Sequence, residues 1–217
     1  VEIGMPFSDP VADGPVIQES SQKAIRNGMS VGYLFEQLQN LRDISDMPVI
    51  LMGYVNPVYK YGMERFLDAC EEAGVDGLIL PDLPAEEYSA FHQPMFQERN
   101  IHNILLITPQ TPDERIHYLS GLSKGFLYMV SSYSTTGVSG RFSEKQIAYF
   151  ERIHKLDLSI PRLVGFGVSG RENFKTACKY THGAIIGSAF IKVLGAGGTL
   201  EENIAGFMRE FSGESYT

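Results

Sequence analysis

Two carboxylates stand at the front of the chain, Glu2 at the end of a short apolar stretch and Asp13 in the loop after it, just before Gly14 and Pro15. An ionised glutamate flanked by Val1 and Ile3 is expensive to bury unless it is paired, neutralised or put to use. The intervening loop is long enough to fold both carboxyls onto one pocket. A glutamate in an apolar strand has a raised pKa and can both donate and accept a proton near neutrality, whereas a more solvated aspartate stays ionised. The pair therefore offers proton transfer beside a fixed negative charge. Plainer roles are open to both: an Asx-turn before Gly14-Pro15 for Asp13, and a solvent-facing strand end for Glu2.

Towards the other end of the chain, two glycine turns each follow an apolar run. These are Gly165-Phe166-Gly167-Val168-Ser169 and Gly187-Ser188, the second leading directly into a helical segment from Ala189 to Val193. Backbone amides at such turns, with a helix start behind them, bind phosphate, and glycine permits close approach. Either turn alone is ordinary strand-end geometry; together, after consecutive strands, they point to a phosphorylated ligand. The segment Ser131 to Gly140 is dense in hydroxyl side chains and follows another strand end, where it reads as a lid or as a solvated surface loop. Tyr54, Tyr128 and Phe166 lie at or near strand ends, as core packing or as walls of an apolar pocket. The five histidines (His92, His102, His117, His154 and His182) lack the spacing of a metal site.

Positioning these residues falls to seven short, nearly continuous apolar runs: Val1 to Ile3, Pro48 to Tyr54, Gly77 to Pro81, Asn103 to Thr108, Phe126 to Val130, Arg162 to Phe166 and Ala184 to Gly187. Continuous rather than alternating hydrophobicity predicts parallel strands covered on both faces. Segments of helical period separate them. Leu34, Leu38 and Leu41 form one stripe, and Met63, Phe66, Leu67 and Cys70 form another that stops at Gly74, a C-terminal cap. Thr111 with Glu114, Ser143 with Gln146, Ser169 with Glu172 and Thr199 with Glu202 have capping-box spacing. Such alternation leaves an open doubly wound sheet or a closed (β/α)8 TIM barrel. Seven strands, with the chain beginning inside the first, predict a barrel lacking its first βα unit in this polypeptide.

With 217 residues, 43% of them hydrophobic and no linker-like or repeated segment, the sequence predicts a single domain over 1–217. A formal net charge of −8 disfavours a nucleic-acid surface, which needs clustered Lys and Arg. Two isolated cysteines, Cys70 and Cys178, are expected to be buried thiols in a reducing, cytoplasmic compartment. No apolar stretch reaches the ~18 residues needed to span a bilayer, so no membrane partner is expected.

The run from Glu2 to Pro15 with Ile17 and Gln18 resembles the signature of tryptophan synthase alpha subunits. Similar stretches recur at Met52 to Pro57, Gly74 to Pro84, Phe126 to Ser131, Gly165 to Ser169 and Gly183 to Phe190, so the resemblance spans the chain. It implies a TIM-barrel lyase that cleaves indole-3-glycerol phosphate to indole and glyceraldehyde 3-phosphate by a retro-aldol reaction, without metal or organic cofactor. By the same resemblance Glu2 is the acid and base, and Asp13 stabilises positive charge on the indole nitrogen. Tyr54, Leu80, Tyr128 and Phe166 contact the substrate, and Gly140, Gly167, Gly187 and Ser188 hold the phosphate. The resemblance further implies an alpha2beta2 assembly with a beta subunit that carries pyridoxal phosphate, with Asp9, Asn56 and Pro57 near that interface. Two other readings are open to the sequence: a ligand- or partner-binding fragment without turnover, and a phosphate-binding isomerase barrel. The motif from Pro6 to Pro15 argues against the isomerase.

Overall fold

The computed structural model describes residues 1–8, 13–131, 141–168 and 170–212. All seven apolar runs contribute parallel strands, and all but the first are longer than the strands they mark. They are β1 (Glu2–Gly4), β2 (Ile50–Met52), β3 (Gly77–Ile79), β4 (His102–Asn103), β5 (Leu106–Ile107), β6 (Leu127–Val130), β7 (Arg162–Gly165) and β8 (Gly183–Ala184). Seven runs give eight segments because the fourth run breaks between β4 and β5. The cause is the hydroxyl of Ser123, 3% exposed, which accepts the Leu105 N–H at 3.0 Å and donates to the Phe126 carbonyl at 2.9 Å. The result is two four-stranded sheets, ordered β1-β2-β3-β4 and β5-β6-β7-β8. The interrupted run still touches both neighbours, since Ile104 N–H donates to the Leu78 carbonyl and Tyr128 N–H to the Leu105 carbonyl.

Helices fill the intervals between strands. After β1 come α1 (Pro15–Arg26), α2 (Val31–Leu38) and α3 (Leu41–Ile44); after β2, α4 (Val55–Tyr61) and α5 (Met63–Ala73). After β3 come α6 (Ala85–Glu87), a π-helical turn over Tyr88–His92 and α7 (Gln93–Glu98). Single helices follow β5, β6 and β7, namely α8 (Asp113–Leu122), α9 (Glu144–Lys155) and α10 (Arg171–Cys178), and β8 leads into α11 (Ser188–Leu194) and α12 (Leu200–Ser212). Among the described residues no helix is long and apolar enough to cross a membrane.

Alternation along the strands sorts the core into three clusters. Leu51 and Leu78 pack outward against Leu34, Phe66 and Leu67 of the first helices, and Ile107, Leu127, Met129 and Val164 pack outward against Ile116, Phe150 and Ile153 of the later ones. The inward positions form a third cluster, in which Ile50, Met52 and Ile79 of the first sheet meet Leu106, Tyr128 and Leu163 of the second. This is the layered interior of a (β/α) barrel, with side chains from both sheets on one central cluster.

Local signals are realised unevenly. Ser143 and Gln146 form the reciprocal capping box at α9, and Thr199 and Glu202 exchange the same pair of bonds before α12. Gly74 ends α5 in the left-handed conformation at φ 75°. Thr111 is a correction: α8 starts from Pro112, and the Thr111 hydroxyl instead accepts the Thr108 N–H at 2.9 Å, so the nearer turn has captured the cap. Ser169 lies outside the described residues, and Gly170 caps α10 without a side chain. Leu41 belongs to α3 rather than to one stripe with Leu34 and Leu38. Cys70 is buried as expected but Cys178 is exposed, because Ala177 takes the core-facing position of α10.

Candidate active site

Parallel register places Glu2 opposite Ile50 and Ile3 opposite Leu51. Ile3 packs on the outer cluster with Leu51, so the neighbouring Glu2 shares the inward row with Ile50. Its Oε2 is buried and, among the described residues, has no hydrogen-bond partner. Loss of solvation, and then the nearby Asp13 carboxyl, push the Glu2 pKa from 4.5 up to about 7, with the Val1 ammonium pulling slightly the other way. Its acid and base forms are therefore balanced near neutral pH.

Asp13 is carried to the same region by the start of α1. Gly14 is the extended residue before the helix, Pro15 is its first residue, and the Gln18 side chain donates from Nε2 to the Asp13 carbonyl at 2.8 Å. Burial alone raises the Asp13 carboxyl above its ordinary value. Tyr128 approaches from β6 in the second sheet and is 3% exposed. Its phenol is held well above its usual pKa by burial and then by the charges of Glu2 and Asp13, which locates the three groups together. Gly165 makes that placement possible, because a Cβ there would lie 2.0 Å from the Tyr128 hydroxyl.

The turn after β7 closes the other side. Phe166 has φ 64°, a left-handed backbone for a bulky residue, and Gly167 follows at φ 73°. The Phe166 ring meets Tyr128 edge-on, with centroids 6.1 Å apart. Gly187 and Ser188 are exposed at the start of α11, and a Cβ on Gly187 would lie 3.7 Å from Cδ1 of Ile17 in α1, so the loops after β1 and β8 adjoin.

Other expected residues sit further out. Tyr54 stacks on Phe7 with centroids 4.5 Å apart, at the rim formed by the loops after β1 and β2. Leu80 is buried in the outer cluster, whereas Ile79, one residue earlier, joins Tyr128 in the inner one. A cavity of about 400 Å³ does border Leu80, but Pro84, Thr108, Gln110, Thr111 and Arg115 line it and none of the carboxylates does. Asn56 is exposed and Pro57 half-buried on α4, whose first amide, Val55 N–H, is held by Asp82 Oδ1 at 2.8 Å. Asp9 and Gly140, with most of the segment Ser131 to Gly140, lie outside the described residues.

Sequence reasoning missed Ile79 and Met52 on the inner face, although the alternation around Leu51 and Leu78 carries that signal. It also missed Gln18 and Ser131 as supports, for which the sequence has no separate mark. Among the described residues no group of three or more His, Cys, Asp or Glu could hold a metal ion. What the arrangement offers is a proton donor and acceptor of near-neutral pKa, a second carboxyl, a phenol and the glycine turns after β7 and β8.

The family model described as the tryptophan synthase alpha chain matches residues 1–214. The chain belongs to this tryptophan synthase alpha chain family. A tryptophan synthase alpha chain from Christiangramia forsetii is 51% identical over 210 residues, covering 97% of this chain and 81% of the relative. Another, from Flavobacterium johnsoniae, is 51% identical over 214 residues, covering 99% and 82%. Among solved structures, a chain of the tryptophan synthase a2b2 complex from Pyrococcus furiosus superposes with a TM-score of 0.88 at 35% identity, covering 98% of this chain and 86% of that one. The isolated A-subunit from the same organism gives 0.87 at 34% identity. The fold is thus the TIM barrel of tryptophan synthase alpha chains, and the chain is a lyase that cleaves indole-3-glycerol phosphate to indole and glyceraldehyde 3-phosphate in tryptophan biosynthesis.

Proposed function

We propose that Glu2 performs both proton transfers of the cleavage. Its acid form protonates C3 of the indole ring, the bond from C3 to the carbinol carbon breaks, and the resulting carboxylate takes the proton of the adjacent hydroxyl as the aldehyde forms. One proton is delivered and one recovered, so the reaction balances without a metal or an organic cofactor. Protonation at C3 places positive charge on the indole nitrogen, and Asp13 stabilises it. Tyr128, Phe166 and the inward Ile79 and Met52 wall the ring, while Gly167, Gly187 and Ser188 hold the phosphate; Gly140 joins them in the family pattern. The observation that carries this reading is the Glu2 carboxyl, its Oε2 buried and without a hydrogen-bond partner among the described residues, with a pKa of about 7 beside Asp13 and Tyr128. Such a group is suited to proton transfer.

The 217 residues act as one catalytic domain, an assignment supported by the inner cluster shared between the two sheets. The chain works in the cytoplasm and docks on a beta subunit carrying pyridoxal phosphate. The rim that bears Asn56 and Pro57 is the docking face, and Asp9 joins it in the family pattern. The test is Glu2→Gln, with turnover of indole-3-glycerol phosphate expected to fall by about 10²–10⁴-fold while substrate binding is retained. A variant that turns over like the wild type refutes the assignment.

A further inference from the structure

Three successive carbonyls of the strained turn after β7 are each held from behind. Ser131 N–H donates to the Gly165 carbonyl at 3.2 Å, Ser131 Oγ donates to the Phe166 carbonyl at 2.5 Å, and Asn173 Nδ2 donates to the Gly167 carbonyl at 3.2 Å. Both side chains are out of solvent, Ser131 at 1% and Asn173 at 5% exposed. They come from different elements, Ser131 from the end of β6 and Asn173 from the first turn of α10.

In a planar trans peptide the N–H points opposite to the C=O of the same unit, and there are no cis peptide bonds in the described backbone. Holding the Phe166 carbonyl therefore fixes the Gly167 N–H on the opposite side, and holding the Gly167 carbonyl fixes the Val168 N–H in the same way. Phe166 at φ 64° has no intrinsic preference for that conformation, and a left-handed non-glycine residue costs about 1–3 kcal/mol unless its surroundings impose it. The two side-chain bonds, at about 0.5–1.5 kcal/mol each, are of the size needed to hold it.

We propose that Ser131 and Asn173 are positioning residues for the phosphate end of the substrate: they clamp the Phe166-Gly167 turn so that its amides stay aimed at the phosphate. This rests on the phosphate reading of Gly167 given above. Neither side chain contacts the substrate in this scheme; each acts through the backbone it holds. The clamp also fixes the Phe166 ring against Tyr128, but the ring is retained by packing on the inner cluster, so the amides are the part that depends on the hydroxyl and the carboxamide.

Ser131→Ala removes the hydroxyl and leaves the backbone N–H in place; Asn173→Leu removes the second clamp at similar volume; Ser131→Thr restores a hydroxyl. Binding of two probes, glycerol 3-phosphate and indole, is measured by calorimetry for the 217-residue chain, together with KM and kcat for indole-3-glycerol phosphate. The expected result is about tenfold weaker glycerol 3-phosphate binding and a similar rise in KM in Ser131→Ala and in Asn173→Leu, corresponding to about 1.4 kcal/mol. Indole binding and kcat should stay within about threefold, and Ser131→Thr should recover most of the loss. Equal loss of both probes, or glycerol 3-phosphate affinity unchanged within twofold, overturns the clamp. If Ser131→Ala does not fold, Asn173→Leu decides alone. Should the wild-type chain itself fail to bind glycerol 3-phosphate, the phosphate assignment fails rather than the clamp.

Discussion

Glu2→Gln should make the folded chain more stable at alkaline pH while abolishing most of its activity. The wild-type carboxyl titrates near 4.5 when exposed and at about 7 in the fold, which corresponds to about 3 kcal/mol favouring its protonated form. Because the folded-state value is raised, the sign is opposite to that of a salt-bridged acid. Below pH 4.5 the group is protonated in both states and contributes no penalty. Between 4.5 and 7 the unfolded chain ionises while the folded one resists, so stability drains away, and above 7 the full penalty is in force. Glutamine has the size of the protonated acid and carries no charge. The two proteins should therefore have similar unfolding free energies at pH 4.5, and the variant should pull ahead through the window to a lead approaching 3 kcal/mol at pH 8.

Urea unfolding of both proteins at intervals from pH 4.5 to pH 8 isolates the effect, since all other titrating groups are common to the pair and the quantity of interest is the difference between two midpoints multiplied by a shared slope. For a domain of this length a lead of that size also raises the melting temperature by roughly 6–12 °C. A difference that stays flat within about 0.5 kcal/mol from pH 4.5 to 8 would show that Glu2 is not desolvated, and the reasoning from its buried, unpartnered oxygen would fall with it.

Asp13→Asn removes the charge that helps hold the Glu2 pKa up, so Glu2 should titrate below its wild-type value of about 7 in a carbon-13 NMR titration, and turnover should drop. An unmoved Glu2 titration would separate the two carboxyls. Gly165→Ala places a methyl 2.0 Å from the Tyr128 hydroxyl and must displace that ring, with a loss of about 1–3 kcal/mol of stability and of turnover together; wild-type activity in this variant would show that Tyr128 has room to move. Ser123→Ala strands the buried Leu105 amide and the Phe126 carbonyl, so unfolding in urea should show a loss of about 1–3 kcal/mol with kcat little changed.

The elements were legible in the sequence wherever the cause is local. Apolar runs marked every strand, Gly74 marked its helix end, and Ser143 with Gln146 marked a helix start, because each depends on residues within one turn or one strand. The break between β4 and β5 was not legible: it depends on Ser123, 18 residues beyond the amide it captures. Thr111 misled because Thr108 competes for the same hydroxyl. Among site residues, the carboxylates stood out by their cost of burial, whereas the inward placement of Ile79 and the outward placement of Leu80 depend on a single-residue register, which only strand pairing supplies. Ser131 had no visible signature because its partner lies 35 residues away.

The interruption at Ile104 and Leu105 divides labour as well as hydrogen bonds. In the proposed reaction both carboxylates, Glu2 that moves the protons and Asp13 that stabilises the charge, belong to the half of the chain before the seam, and the turns assigned to the phosphate, around Gly167 and Gly187, belong to the half after it. A substrate seated between them straps one half-barrel to the other. Its binding free energy is then a tether across the seam, worth about 2.7 kcal/mol of added stability at a hundredfold excess over Kd. Slowed amide exchange on both sides of the seam, rather than in one sheet alone, would be its signature.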